Sequence, residues 1–173
     1  AAGKASLAKS LEAYKTATDN NQIPPYGMKL DKVSDIYPEL YHYADEGILE
    51  NLVSVGNGQW TLAGRGMSQP TYFTSAKMGN GVNVQSKLQT TGNGRRYRIE
   101  IDSTDIDTDA YIPYENVLDS NGNVTAVRLK IESVVRGNTH LGEGGVPQVI
   151  SGNNVTVRVY DRDLDRYLTE NDF

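Results

Sequence analysis

The sequence predicts an α+β fold in which an N-terminal amphipathic helix packs on an antiparallel β-sheet built from hairpins. Apolar side chains recur at helical spacing over residues 1–20. Beyond residue 48, short alternating runs are separated by Asn-Gly pairs, which is typical of hairpins. The length of 173 residues fits a single domain, 1–173. We divide it into the helix at 1–20, a loop and short helix at 21–47, and an antiparallel β region at 48–173.

The first element is a helix that ends near residue 20. Leu7, Leu11 and Tyr14 recur at steps of four and three, which places them on one face of the helix. Pro24 and Pro25 prevent the helix from continuing. Small residues dominate its first two turns, which would let another helix approach closely. Alanine is also simply a good helix former, and the sequence leaves both interpretations open.

Helical spacing continues between residues 30 and 44. Pro38 interrupts the pattern, so we predict one or two short helices. The second would begin near Pro38 and end at Gly47, where a left-handed cap is favoured. The apolar positions that carry this prediction are Leu30, Val33, Ile36 and Leu40.

The β region is predicted as hairpins joined by Asn-Gly turns. The clearest pairs residues 52–55 with 59–62, a second pairs 82–89 with 96–101, and a third pairs about 110–118 with 124–131. Strict alternation in two late strands indicates one buried and one wet face. We expect their apolar residues to form the sheet face under the helix: Val127, Leu129, Ile131, Val155, Val157 and Val159.

Composition excludes several classes of function. The net charge of -5 and the pI near 5.0 argue against nucleic acid as a partner. The absence of cysteine excludes disulfides, thiol nucleophiles and thiolate zinc sites. No run of the sequence approaches the roughly 18 apolar residues of a membrane-spanning helix.

The sequence contains no catalytic motif. The two histidines, His42 and His140, lie in no HExxH pattern, and nothing matches GxSxG. We interpret His42 as a surface histidine on the predicted second helix. The protein is therefore expected not to be an enzyme, and no catalytic residue is assigned.

An acidic run provides the candidate metal ligands. Asp105, Asp107 and Asp109 follow one another at every second position, and closely spaced aspartates in a loop can supply several of the six to eight oxygen ligands that calcium takes. Calcium is the one cofactor that the sequence suggests. The alternative is a solvated charged loop without metal.

The aromatic composition is skewed, with 11 tyrosines against 2 phenylalanines and 1 tryptophan. Amphipathic tyrosine rings suit a surface that binds sugar or another subunit, and they equally suit a sheet edge. The tyrosines considered for such a surface are Tyr37, Tyr41, Tyr43, Tyr111 and Tyr114.

The order of elements resembles the soluble head of a type IV pilin or pseudopilin. The residues that carry the resemblance are Ala1-Ala2-Gly3-Lys4-Ala5-Ser6-Leu7-Ala8-Lys9-Ser10-Leu11-Glu12-Ala13-Tyr14, similar to the exposed second half of the long pilin helix, and Asp19-Asn20-Asn21-Gln22-Ile23-Pro24, similar to the turn after it. The family's apolar half-helix, which begins with phenylalanine and carries an early glutamate, would lie upstream of Ala1. Many members also have a C-terminal disulfide, which this chain cannot form.

The resemblance implies a structural subunit of an extracellular, cell-surface filament that acts by self-assembly. Its partners would be further copies of itself and other pilins, and it would reach the membrane only through the upstream helix. The assembly face would comprise Ala1, Ala5, Leu7, Ala8, Leu11 and Tyr14.

Three alternatives remain open. One is a small hydrolase, whose only catalytic groups would be an acid pair drawn from the aspartates at 102–109. A phage or virion structural subunit would also be rich in β-strands and free of cysteine and catalytic residues. A carbohydrate-binding β module would use an exposed Trp60 and several tyrosines as platforms for sugar rings.

Overall fold

The computed structural model describes residues 2–20, 27–81, 95–129 and 149–173. The regular secondary structure of these residues is mostly antiparallel β-sheet with few helices, which is compatible with the predicted α+β class. The helices are α1 (Ala2–Asp19) and α2 (Val33–Ile36), with 3-10 helices at Glu46–Asn51, Ser103–Ile106 and Glu170–Asp172. The strands are β1 (Met28–Lys29), β2 (Glu39–Ala44), β3 (Leu52–Gly56), β4 (Gln59–Leu62), β5 (Thr71–Phe73), β6 (Tyr97–Asp102), β7 (Tyr111–Ile112), β8 (Tyr114–Leu118), β9 (Val124–Leu129), β10 (Val149–Ser151), β11 (Val155–Asp161) and β12 (Arg166–Tyr167).

The described strands form three antiparallel sheets. One has the order β1-β7-β10-β5, the second has the order β2-β6-β11-β4-β3 with β12 also pairing with β11, and the third is the hairpin β8-β9. A bridge between Tyr41 and Thr74 connects the first two sheets. Each of these residues donates its N–H to the carbonyl of the other at 2.8 Å. The bridge makes the edge of β2 continuous with the end of β5.

The core lies on the inner face of the six-stranded sheet. Val157 is paired with Ile101 and Val159 with Ile99 across β11 and β6, and all four side chains are buried. The predicted alternation in β11 is confirmed, because Val155 is buried in the same row. Val127 and Leu129 were predicted on this face, but β9 belongs to the separate β8-β9 sheet. Ile131 lies outside the described residues.

The helix α1 agrees with the predicted N-terminal helix within one residue at each end. It contacts α2 and the edge strand β1. Packing of this helix on the sheet as a whole remains a prediction. Within the described residues, none of the helices has both the length and the apolar composition needed to cross a membrane.

The prediction of a second helix, from Pro38 to Gly47, is wrong. α2 provides one short helix, but the segment that begins at Pro38 forms strand β2, and Gly47 lies inside the 3-10 helix Glu46–Asn51 without a positive φ. The aromatic residues of this segment favour a strand, and β2 pairs with β6 over its whole length. Long-range pairing with β6 therefore determines the secondary structure of this segment, although the local spacing of its apolar residues also fits a helix.

Two of the predicted hairpins are confirmed. β3 and β4 are joined through a turn in which Gly56, Asn57 and Gly58 all have positive φ. β8 and β9 are joined through a turn at residues 119–123. The first arm of the remaining hairpin, 82–89, lies outside the described residues. Its second arm is β6, which pairs with β2 and β11.

Candidate functional site

The helix α1 contacts the rest of the molecule through one of its sides. Ser10 is buried, and its hydroxyl oxygen accepts a hydrogen bond from the backbone N–H of Asp31 at 2.9 Å. The carboxylate of Asp31 also lies 3.4 Å from the Lys9 ammonium. Tyr14 is half-buried and packs against the core. These contacts fix the second half of α1 against the segment that precedes α2.

The predicted assembly face has two different environments where the structure describes it. Tyr14 contacts the core of its own chain, whereas Ala8 is exposed. The side chains of Ala5, Leu7 and Leu11, and the whole of Ala1, lie outside the description. The role of this face in assembly stays a prediction.

The three candidate calcium ligands each bind a different segment of the chain. Asp107 accepts hydrogen bonds from the N–H and the hydroxyl of Ser34 in α2, both at 2.8 Å. Asp105 accepts from the N–H of Thr156 in β11 at 2.8 Å. Asp109 accepts from the Ser151 hydroxyl at the end of β10 at 3.4 Å. The three carboxylates therefore connect the loop after β6 to α2, β10 and β11.

These hydrogen bonds direct the carboxylates towards separate partners. Across the part of the chain that the structure describes, no three histidine or acidic side chains are grouped so that they could hold a metal ion. Calcium binding by Asp105, Asp107 and Asp109 stays a prediction.

A groove of about 570 Å³ crosses the outer face of the six-stranded sheet. It runs from Pro38 at the start of β2, across β6 and β11, to Gln59 at the start of β4. Four carboxylates and one guanidinium line it, so cationic or hydroxyl-rich groups fit its charge better than anions do. These side chains are Glu39, Glu100, Asp102, Asp105 and Arg158.

Glu100 is the most connected carboxylate of the groove. Its side chain is 12% exposed and lies 2.9 Å from both Nε and a terminal nitrogen of Arg98. The Tyr167 hydroxyl donates to it at 3.0 Å. The Arg98 guanidinium also stacks over the Tyr160 ring at 4.1 Å. This network connects β6, β11 and β12 on the outer face.

Burial and neighbouring carboxylates keep the tyrosines of this face protonated. Burial, followed by the hydrogen bond that its hydroxyl donates to Glu39 at 2.7 Å, raises the pKa of Tyr41 far above its usual range. Burial also raises the pKa of Tyr167, with a further contribution from Glu100. Both hydroxyls therefore act as hydrogen-bond donors at neutral pH.

The segment 74–79, which we call the covering segment, lies over the outer face beside the groove. The hydroxyl of Tyr43 donates to the carbonyl of Ala76 and accepts from the N–H of Met78, both at 2.6 Å. Arg98 donates to the carbonyl of Met78 at 3.0 Å. The covering segment explains why Tyr41, Tyr43 and Arg98 are buried although they point away from the inner core.

Alkaline pH is expected to destabilise this cover through Tyr43. Burial raises the pKa of Tyr43 from 10.0 to about 12. The stability that its neutral hydroxyl contributes is fully present below pH 10 and is lost as pH rises towards about 12. We expect the free energy of unfolding to fall by roughly 2–3 kcal/mol across this window. Denaturant titrations at several pH values, together with tyrosinate absorbance, measure the effect.

The control for this prediction is Tyr43→Phe, which keeps the ring and removes the ionising group. Its stability should vary less with pH in the same window, although it is lower at neutral pH. If the Tyr43 hydroxyl ionises near pH 10 while the protein is still folded, the prediction is contradicted.

His42 lies in strand β2, not on a helix as predicted. It is half-buried, and its Nδ1 lies 2.8 Å from the carbonyl oxygen of Tyr72. A carbonyl can only accept, so Nδ1 carries the hydrogen. Burial lowers the pKa of His42, which keeps the imidazole neutral. The ring lines a second cavity of about 470 Å³ together with Arg65, Gln69 and Tyr72. His140 lies outside the described residues.

Trp60 is not the exposed platform that a carbohydrate-binding module would use. It is 2% exposed, and its ring packs on Phe173 with the centroids 4.8 Å apart. Tyr41 and Tyr43 are buried as well, while Tyr37 and Tyr111 are half-buried. The side chain of Tyr114 lies outside the description. Among the tyrosines whose side chains the structure describes, the predicted surface is therefore largely buried.

The sequence reasoning did not identify the Arg98-Glu100 pair. The alternation of charged and apolar residues in β6 was available as a signal, since Arg98 and Glu100 share a face. The signal indicates a wet face, however, and it does not show that the covering segment buries Arg98.

Comparisons with models of known families, with characterised proteins and with solved structures find no match to this chain.

Proposed function

We propose that the protein is a structural subunit of an extracellular, cell-surface filament, similar to a type IV pilin head, and that it acts by self-assembly without catalysis. Its partners are other copies of the chain and related pilins. In this proposal α1 packs on the sheet with one side and on neighbouring subunits with the other. The supporting observation is that α1 is seated through Ser10 and Tyr14 and keeps the opposite side exposed.

The opposite side of α1 presents a regular stripe, defined as Ala8, Glu12, Lys15 and Asp19. These four residues are exposed and follow one another at steps of four, three and four. That spacing places them in one row along the helix. The row carries both signs of charge, so it suits contact with another copy of the same chain. Many such contacts along a filament can stabilise an assembly although each one is weak.

The filament proposal predicts that a bulky side chain on the stripe blocks assembly. Ala8→Trp should leave the fold intact, since exposed substitutions usually change stability by less than about 0.5 kcal/mol. We expect it to remove the chain from filaments sheared off cells that produce the complete natural protein. Immunoblotting and mass spectrometry of the sheared fraction measure this, and electron microscopy shows whether filaments remain.

The matched control is Asn121→Trp, which places the same side chain in the exposed β8–β9 turn. It should assemble like the unmodified protein. Terminal sequencing of the natural protein is the second measurement, and we expect an apolar segment of roughly 25 residues before Ala1, with an acidic residue near its start. Absence of the unmodified chain from the filament fraction would overturn the proposal.

A further inference from the structure

Strand β3 is the last described strand at one end of the six-stranded sheet. It pairs with β4 on one side, and on its other side it pairs with no strand that the structure describes. The opposite end of the same sheet is different, because Thr74 bridges to Tyr41 in β2. An edge strand presents unpaired N–H and C=O groups and can accept another strand.

The edge at β3 lacks charged side chains and proline, two of the usual features that prevent pairing. Val53 is 66% exposed and Val55 is 56% exposed. Natural edges are commonly protected by charged side chains or proline. Residues 51–59 contain neither, although 23% of the whole chain is charged. A register shift lies between Ser54 and Gly56, next to the hairpin turn, so that residues 52–54 pair regularly with β4 while Val55 has no partner residue in β4.

We infer that β3 is a self-association surface, on which the β3 strand of a second copy pairs in antiparallel orientation about Ser54. The sequence Val53-Ser54-Val55 reads the same in both directions. Antiparallel pairing centred on Ser54 therefore places Ser54 of one copy opposite Ser54 of the other. Val53 of each copy then lies opposite Val55 of the other copy. Opposed β-branched pairs of this kind stabilise a sheet.

Charge favours a second copy over other occupants of this edge. Residues 51–59 have no charged side chain of their own, and the Glu170 carboxylate accepts from the Gly58 N–H in the turn at 2.7 Å, beyond the strand. A charged peptide therefore finds no counter-charge on residues 52–55. Two copies that each carry a net charge of -5 repel one another, and an uncharged strip is the surface on which they approach at the lowest electrostatic cost. The occupant to which these observations point is the same chain.

The size of the contact sets its strength. A single short strand pair buries less than the roughly 1,200–2,000 Å² of a stable specific interface. The dimer should therefore be weak and should form at high local concentration. The contact is also isologous, so it closes on itself and does not build a filament. The inference that β3 is a self-association surface is therefore independent of the proposed filament function.

Cysteine cross-linking tests the register directly, because the chain contains no cysteine. Directly opposed residues of antiparallel strands have Cα atoms about 4.5–5.5 Å apart, within the roughly 4.4–6.8 Å that a disulfide spans. Ser54→Cys should form a disulfide-linked dimer under mild oxidation. A mixture of Val53→Cys and Val55→Cys chains should form more mixed dimer than either chain alone forms with itself.

The control is Asn121→Cys, an equally exposed position in the β8–β9 turn. It should cross-link only at the rate of random collision. Sedimentation of the cysteine-free chain gives an independent readout, in which Val53→Lys should raise the dimer dissociation constant roughly tenfold. The inference is overturned if Ser54→Cys oxidises no faster than Asn121→Cys, or if Val53→Lys leaves self-association unchanged.

Discussion

Replacing Arg98 with methionine is expected to lower the free energy of unfolding by roughly 3–5 kcal/mol. The substitution keeps most of the side-chain volume but removes the charge that faces Glu100. Both side chains are well shielded, at 6% and 12% exposure. Glu100 would then keep the Tyr167 hydroxyl and Arg158, whose nearest nitrogen is 3.9 Å away. Denaturant unfolding measured by circular dichroism gives the loss.

Two controls separate the effect of the charge from loss of packing. The double variant Arg98→Met with Glu100→Gln should recover part of the loss, because it no longer leaves a carboxylate without its closest cation. Arg166→Met breaks the pair with Asp172, where Arg166 is 49% exposed, and should cost much less. Equal losses in Arg98→Met and Arg166→Met would show that burial of the Arg98 pair does not matter.

Replacing Gly64 with alanine is expected to cost roughly 2–4 kcal/mol. A β-carbon at Gly64 would overlap the backbone carbonyls of Gly152 and Asn153. The backbone approaches closely here because the Gly64 N–H donates to the Asn154 side chain at 2.7 Å. Alanine would push the end of β4 away from the β10–β11 turn. Thermal and denaturant unfolding measure the effect.

The matched control for Gly64 is Gly47→Ala. No atom outside its immediate neighbours lies within 4 Å of a β-carbon at Gly47, and its φ is not positive. This substitution should be neutral or should stabilise the protein by up to about 1 kcal/mol. A Gly64→Ala variant as stable as Gly47→Ala would show that the backbone at the β10–β11 turn yields easily.

Local chemistry accounts for the parts of the fold that the sequence predicts well. The turn at Gly56–Gly58 and the alternation of Val155, Val157 and Val159 depend on neighbouring residues only, and both are found in the structure. Strand β2 could not be recognised in this way. Its apolar spacing fits a helix, and its pairing partner β6 lies more than fifty residues further along the chain.

The candidate site is less predictable from sequence for a similar reason. The clustering of Asp105, Asp107 and Asp109 suggests convergence on one ion, but the direction of each carboxylate is set by separate partners in α2, β10 and β11. Burial of Trp60 depends on its contact with Phe173, more than a hundred residues away. Sequence identifies the chemical groups, whereas their surroundings follow from long-range packing.

The central position of β11 has a consequence for how the protein folds during synthesis. β11 lies between β6 and β4 in the six-stranded sheet, yet it is made after both of them. While residues 155–161 remain inside the ribosome, β6 and β4 each lack a neighbour and expose an edge that can aggregate. The six-stranded sheet can therefore form only after residues 155–161 have left the ribosome, so its folding must wait for its middle strand.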